Sequence, residues 1–517
     1  MLRRHLMNMS LFFLIIVISH IAAAEAPTVN FFVKEFMIEG ENPLSPEATR
    51  KILNPYLGEH EGLDLIETGA RVLQDVLYEK GYTFHRVIVP PQRATDGVIK
   101  LRIITYKIDQ VTIEGNKYYP DDNIRASLPE LKSGWTPNTR KISRSLLVAN
   151  EHPTKNLAVF VRNSEKPDSI NARIETRDMR PQQFFSSFSN TGNKATGHTR
   201  LSVGYQHSNL LNRDHIMTLS YTTSPGHFSD VKQFGGFYRI PFYKIGAGLS
   251  MFATHSKVDQ GTVGEFFQVS GKGTFLGAGF DYALFPIGEY SHIINLGIQD
   301  RLFENDTSFT GTPIGVDIRS RPMSLRYEGR WEKTKGKGEF YVEYAKNLSW
   351  GGGNNSLSYL SNRAGADHHW SAIRYGGKLD YLLTGDFLLR LRLEGQEANE
   401  PLISGEQFGL GGVRSIRGFE EREVIGDSGQ CVNLEIWSPF LKHNTRILVF
   451  TDIGQRDLDE PVPGQDSEES LSSVGVGFRW QWRQNLSISL DAAYVTNGAG
   501  TTDSGDEKIH FNIFYRF

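Results

Sequence analysis

Two hydrophobic periods divide the sequence. Between about residues 31 and 180, apolar positions switch between strand-like and helix-like spacing; from residue 181 to the end only the strand period remains. In the first region Phe31 to Gly40 predicts a strand, closed by a turn at Glu41-Asn42-Pro43. Ser45 to Leu57 predicts a helix, with Ser45 as its cap and Glu47 in its first turn. Ile66, Ala70, Leu73 and Leu77 mark a second helix, ended by Gly81, because glycine accepts the left-handed backbone common at that position. Strands follow at Tyr82 to Val89 and Val98 to Ile104. The order β-α-α-β-β then repeats: a strand at Lys107 to Glu114, helices at Pro120 to Leu128 and Asn138 to Ala149, and strands at Asn156 to Asn163 and Ser169 to Arg177. The corner Glu39-Gly40-Glu41-Asn42 returns as Glu114-Gly115-Asn116, which identifies two copies of one small α+β module, at 25–105 and 106–180.

Residues 181–517 read as alternating strands between polar or glycine-rich turns. Met323, Leu325, Tyr327 and Trp331 share one face, and Ser324, Arg326, Glu328, Arg330 and Glu332 the other. Leu389, Leu391 and Leu393 alternate with Arg390, Arg392 and Glu394. Val474, Val476, Phe478, Trp480 and Trp482 oppose Gly475, Gly477, Arg479 and Gln481. Leu486, Ile488, Leu490 and Tyr494 oppose Ser487, Ser489 and Asp491. A soluble sandwich could alternate in the same way. About sixteen strands in succession, aromatic at their ends and densely charged on one face, instead predict an antiparallel transmembrane β-barrel, with lipid outside, water and ion pairs inside, and no free sheet edge. The final strand, Ile509, Phe511, Ile513, Tyr515 and Phe517, ends flush on an aromatic residue; Tyr515 and Phe517 resemble the signal by which such barrels are recognised for assembly.

The amino terminus has the layout of a secretory signal over residues 1–24. Arg3 and Arg4 are the basic region, Leu11 to Ile18 the apolar core, and Ala22-Ala23-Ala24 the cleavage site before Glu25. The remaining sequence has no apolar run of about 18 residues, so no transmembrane helix is expected. A net charge of −3 argues against nucleic acid as partner. The lone Cys431 permits no internal disulfide and reads as a small apolar strand residue. Gly426-Asp427-Ser428-Gly429 matches a serine-protease nucleophile segment, but no histidine segment accompanies it, and a triad is defined by geometry rather than by a tetrapeptide. His368-His369 beside Asp367 suggests a metal site; adjacent residues of a strand face opposite ways, so a polar loop tip is the better reading. Metal, phosphate-loop and nucleophile motifs are otherwise missing, so no catalytic residue, metal or cofactor is expected.

One segment carries a resemblance: Phe408-Gly409-Leu410-Gly411-Gly412-Val413-Arg414-Ser415-Ile416-Arg417-Gly418-Phe419, followed further on by Phe450-Thr451-Asp452-Ile453-Gly454. This pair resembles the motifs Val/Ile-Arg-Gly-Tyr/Phe and Phe-x-Asp-x-Gly of the two-partner-secretion translocators. These are the haemolysin secretion/activation family (TpsB; ShlB/FhaC/HecB), within the superfamily of POTRA-bearing outer-membrane barrels. The resemblance covers nearly the whole mature chain and implies two POTRA modules in the periplasm of a Gram-negative bacterium, then the barrel. It places Ile416, Arg417, Gly418 and Phe419 at the tip of a loop, about 398–430, that folds into the lumen. It places Phe450, Asp452 and Gly454 on the inner wall and implies that Arg417 pairs with Asp452. Arg479, expected inward on the next strand, is a competitor or second partner. Some family members plug the pore with an extra amino-terminal helix; the short stretch from Glu25 to Asn30 has no room for one, which puts plug release in doubt here.

The function implied is recognition of an unfolded exoprotein by the POTRA modules and its passage to the cell surface. Outer-membrane lipids, lipopolysaccharide and, during biogenesis, the barrel-assembly machinery are the other partners implied. An assembly factor that inserts other barrels is the rival reading; that class usually carries more POTRA modules. An outer-membrane hydrolase is the third, and it lacks an inward Ser/His/Asp set.

Overall fold

The computed structural model describes residues 30–517, apart from 94–95, 194–195, 259–260, 264–266, 270, 305–307, 310–311 and 314–315. The expected signal peptide lies outside them, as does nearly all of the Glu25–Asn30 spacer. The chain divides into two compact units after Thr105.

In the first unit, strand Glu35–Gly40 pairs in parallel with Val98–Thr105, which pairs antiparallel with His85–Ile88. Helix Asp64–Glu79 supplies Ile66, Ala70, Leu73 and Leu77 to a core with Leu53 and Leu101. The Ser45 hydroxyl accepts from the Ala48 amide at 3.2 Å and starts helix Pro46–Leu53. That helix stops short of the expected Leu57: Pro55 cannot continue it, and Asn54–Tyr56 tightens into a 3-10 turn. The expected strand from Phe31 is split in two. Asn30–Val33 pairs with Gly58–Glu61, a segment with no apolar side chain and therefore no hydrophobic period to reveal it.

The second unit begins with a module of the same order. Lys107–Glu114 runs parallel to Ser169–Asp178, which pairs with Lys155–Asn163; helices Asp121–Ser127 and Thr139–Asn150 complete it. The repeated corner has one structural cause. Gly40 and Gly115 both take positive φ, +99° and +86°, and a Cβ on either would lie 2.3 or 2.4 Å from a carbonyl of the parallel strand, Ile103 or Thr176. Only glycine lets the chain turn off the sheet there.

Among the described residues sixteen antiparallel strands close into a barrel, from Gln182–Ser189 to Glu507–Arg516; one is interrupted at Arg321, as Ile318–Ser320 and Pro322–Lys333. The seam is closed by Asn512–Arg516 on Phe185–Ser189. Phe517 adds two backbone bonds of 2.9 Å to Phe184, and the two rings stack at 5.6 Å. Leu296, Met323, Leu325, Val449, Val476 and Ile509 lie exposed on the outer wall, an apolar band that suits lipid rather than water. The inner wall carries ion pairs such as Arg390–Asp380 (2.6 Å) and Arg392–Glu394 (2.6 Å).

The module of the second unit is seated on the barrel rim. Asp214, in the turn between Arg200–Leu210 and His215–Thr223, is buried and pairs with buried Lys155. The Lys155 ammonium also donates to Asn123 Oδ1 (2.9 Å) and Ser127 Oγ (2.8 Å), and Tyr243 Oη donates to Asp214 (2.6 Å). Burial pushes the Asp214 carboxyl up, but the Lys155 charge and the Lys155 and Tyr243 hydrogen bonds outweigh it and hold the group below its usual range. His152 Nε2 donates to the Ser208 carbonyl at 2.6 Å, and burial pushes that imidazole down to about 4. Glu151 joins Arg239 at 2.8 Å, and Arg239 in turn holds Asp281.

Candidate functional site in the barrel lumen

The segment between strands Leu388–Ala398 and Ser428–Trp437 has the length of an external loop, yet it folds back inside. A short hairpin, Phe408–Leu410 against Val424–Gly426, carries its tip down to the inner wall. Ile416 and Phe419 are fully buried there with Leu410, Cys431, Leu471 and Val495, so the tip docks by apolar packing as well as by charge. Cys431 is a buried free thiol in this cluster.

Arg417 is the centre of the dock. Its Nε and Nη2 each donate to Asp452 at 2.7 Å, and its backbone N–H reaches the same carboxylate at 3.1 Å. A planar guanidinium and a carboxylate make this two-bond fork naturally. Nη1 lies 2.9 Å from Glu435 and 3.7 Å from Asp491. The guanidinium carbon stands 3.4 Å over the Phe450 ring, a cation–π stack. Asn433 Nδ2 ties the two partners together, donating to Asp452 (2.9 Å) and to the Ser415 carbonyl (2.5 Å). Gly418 takes φ +101°, its amide donates to His510 Nε2 at 2.9 Å, and a Cβ would press on Val495 at 2.9 Å.

Each residue of the wall motif has a physical reason. Phe450 offers the face for the guanidinium, Asp452 the fork, and Gly454 the space. A Cβ at 454 would meet Leu410 at 3.0 Å and Ile416 at 3.2 Å. Gly454→Val is therefore expected to push the tip off the wall, at about 1–3 kcal/mol for overpacking. Thermal unfolding of the barrel in detergent checks it: the transition should fall clearly more than for Gly454→Ala.

Arg479 faces inward as expected but is not a second partner of Asp452. Its Nη2 donates to Asp491 at 2.9 Å and its Nη1 lies 2.8 Å from the same carboxylate, so it neutralises that carboxylate on the far side of Arg417. Asn433, Glu435, Asp491 and His510 were missed as site residues. Strand parity could have found the first two, since they share the inward face of Ser428–Trp437 with Cys431. Asp427 of the protease-like tetrapeptide is buried and bound to Arg363, so it is not free for catalysis. The two histidines lie in a polar loop, as expected. Both Nδ1 atoms approach Asp367 Oδ1, at 3.3 and 3.1 Å, within hydrogen-bonding reach of the carboxylate.

This arrangement has known counterparts. A family model described as haemolysin secretion/activation protein ShlB/FhaC/HecB matches residues 169–480, and one described as POTRA domain, ShlB-type, matches residues 31–105. The heme/hemopexin transporter protein HuxB of Haemophilus influenzae is 22% identical over 466 residues, 86% of this chain and 78% of that protein. The outer membrane transporter CdiB-2 of Burkholderia pseudomallei is 22% identical over 429 residues, 80% of this chain and 71% of that protein. Two solved structures share the fold. CdiB from Escherichia coli has a TM-score of 0.73 at 16% identity, covering 97% of this chain and 93% of that one. CdiB from Acinetobacter baumannii has a TM-score of 0.69 at 17% identity, covering 95% and 91%. With the family model spanning well over half of the sequence, the chain belongs to the haemolysin secretion/activation family ShlB/FhaC/HecB, whose members are outer-membrane transporters.

Proposed function

We propose that this chain is the outer-membrane translocator of a two-partner secretion pair: its two POTRA modules receive an unfolded exoprotein in the periplasm, and the barrel passes it to the cell surface. The observation that carries this is the loop tip held at Arg417–Asp452 within a charged lumen. In the receptor step, the outer strand of a module adds a strand of client by main-chain hydrogen bonds, a mode that tolerates varied sequence. Lys155–Asn163 and Lys107–Glu114 are the edges of the second module's sheet, and His85–Ile88 and Glu35–Gly40 those of the first. The step needs no covalent chemistry, metal or cofactor. Outer-membrane lipid and lipopolysaccharide surround the apolar band, and the barrel-assembly machinery reads the carboxy-terminal strand.

Comparing the extracellular proteome of cells with and without this chain tests the reading. One large exoprotein should vanish from the medium while other outer-membrane barrels stay at normal levels. Loss of those barrels with secretion intact would favour an assembly factor. A second expectation concerns biogenesis. Removing Phe517 deletes both backbone bonds to Phe184 and the ring stack at the seam. Heat-modifiable, folded barrel in membrane fractions should drop several-fold, whereas Phe517→Tyr should keep most of it.

A further inference from the structure

The outer mouth of the pore carries a second fastening, at the opposite end of the lumen loop from Arg417. The loop 348–370 contains helix Ser356–Asn362, capped by Asn355, whose side chain accepts from the Ser358 amide at 3.0 Å. Tyr359 and Trp370 of this loop are fully buried. They pack with Phe275 and Phe303, at the outer ends of their barrel strands, and with Leu402 and Ile403, where the lumen loop begins its descent. An apolar cluster inside the rim of a wet barrel excludes water, which a lining for an open channel would not do.

One ion pair closes this cap. Asp427, at the return of the lumen loop, is fully buried. It accepts from Arg363 at 2.5 and 2.8 Å, from the Leu402 amide at 2.8 Å, from Gln407 Nε2 at 3.1 Å and from the Asp459 amide at 2.8 Å. Arg363 also donates to the carbonyls of Leu402 (2.8 Å) and Asp459 (2.7 Å). One carboxylate and one guanidinium thus join three outer loops, 348–370, 399–427 and 458–467. Buried Glu406 anchors the same stretch to the wall through Arg301 at 2.6 Å and Arg374 at 3.3 Å.

We propose that loop 348–370 is a lid that closes the outer mouth, and that Arg363–Asp427 is its bolt, released for an exoprotein to leave. This rests on the translocator reading for the word exoprotein; the closed mouth and its bolt stand on the geometry alone. A bolt of this kind suits a lid, because a buried pair holds firmly only while both partners are present.

The test measures KCl current through the full-length purified protein in planar lipid bilayers. Asp427→Asn and Arg363→Gln each remove one charge of the bolt and should raise the mean current several-fold over the wild type. A cross-link does the reverse. The Cβ of Gly365 would lie 3.5 Å from the Glu460 Cβ, within the span of a disulfide. Gly365→Cys/Glu460→Cys, in a Cys431→Ser background, should hold the current at or below the wild-type level when oxidised. In cells it should stop exoprotein release until reductant is added. If either charge variant fails to fold, the cysteine pair decides alone. Wild-type current from folded Asp427→Asn, or full secretion through the oxidised pair, overturns the lid. Absence of any exoprotein dependent on this chain would instead sink the translocator reading and leave the current measurement to judge the bolt.

Discussion

Arg417→Ala is expected to abolish exoprotein release while leaving a folded barrel in the outer membrane. The substitution removes both side-chain bonds to Asp452, the contact with Glu435 and the stack on Phe450. Asp452 is fully buried and would keep only Asn433 and one backbone amide. Breaking a buried pair from one side costs about 3–5 kcal/mol, mostly the penalty of the charge left behind. Roughly 3 kcal/mol shifts the docked-to-undocked ratio of the loop more than a hundredfold. The barrel itself, held by sixteen strands, does not depend on this pair. Arg417→Lys should restore little, because an ammonium has neither the fork nor the flat face that Phe450 meets. Arg417→Ala/Asp452→Asn should keep the loop better docked than the single change, since the orphaned charge is gone. Limited proteolysis of intact cells reads the loop, and the medium reads secretion. A mutant loop as protected as the wild type, with normal secretion, would sink the lock.

Much of this was legible in the sequence, for identifiable reasons. Strand parity is strict in a barrel, so faces could be read directly: Met323 and Leu325, and Ile509, Ile513, Tyr515 and Phe517 of the final strand, lie exposed, while Tyr327 and Trp331 are half-buried against Phe340. Asp452 was legible as the partner of Arg417 only through the motif pair, because the two lie on different elements and no local period links them. The strand Gly58–Glu61 was invisible because Gly-Glu-His-Glu has no hydrophobic period. Asp427 and Arg363 were illegible for a related reason. Their partners are mostly backbone amides and carbonyls of other loops, which leave no mark in composition or spacing. The histidine pair was legible as a polar loop, but nothing in the spacing showed that both rings would turn to Asp367. Asp214 carried no signal either: it looks like an ordinary turn aspartate until the fold brings Lys155 to it.

Asp214→Ala should loosen the second module from the barrel rim. Both partners of the pair are buried, with side-chain exposures of 1% for Asp214 and 0% for Lys155, so the mutation strands an ammonium among the neutral groups of Asn123 and Ser127. The cost is about 3–5 kcal/mol, enough to expose the module's barrel-facing surface. Hydrogen exchange of peptides from Thr139–Asn150 and Lys155–Asn163 measures this directly; protection equal to the wild type would show that the seat does not rest on the pair. The same joint should respond to acid in two stages. His152 ordinarily titrates near 6.5 but is held down to about 4 by burial, its Nε2–H committed to the Ser208 carbonyl. Between those values the exposed imidazole takes a proton that the seated one refuses, so the seat weakens as pH falls from 6.5 towards 4. At about 1.4 kcal/mol per pKa unit that is about 3 kcal/mol. Asp214 works in the lower window: its folded carboxyl sits below its ordinary 3.8, so its contribution is lost only as pH falls past that value. His152→Asn should therefore flatten the pH dependence between 6.5 and 4 and leave the more acidic loss in place, whereas Asp214→Ala should weaken the seat already at neutral pH.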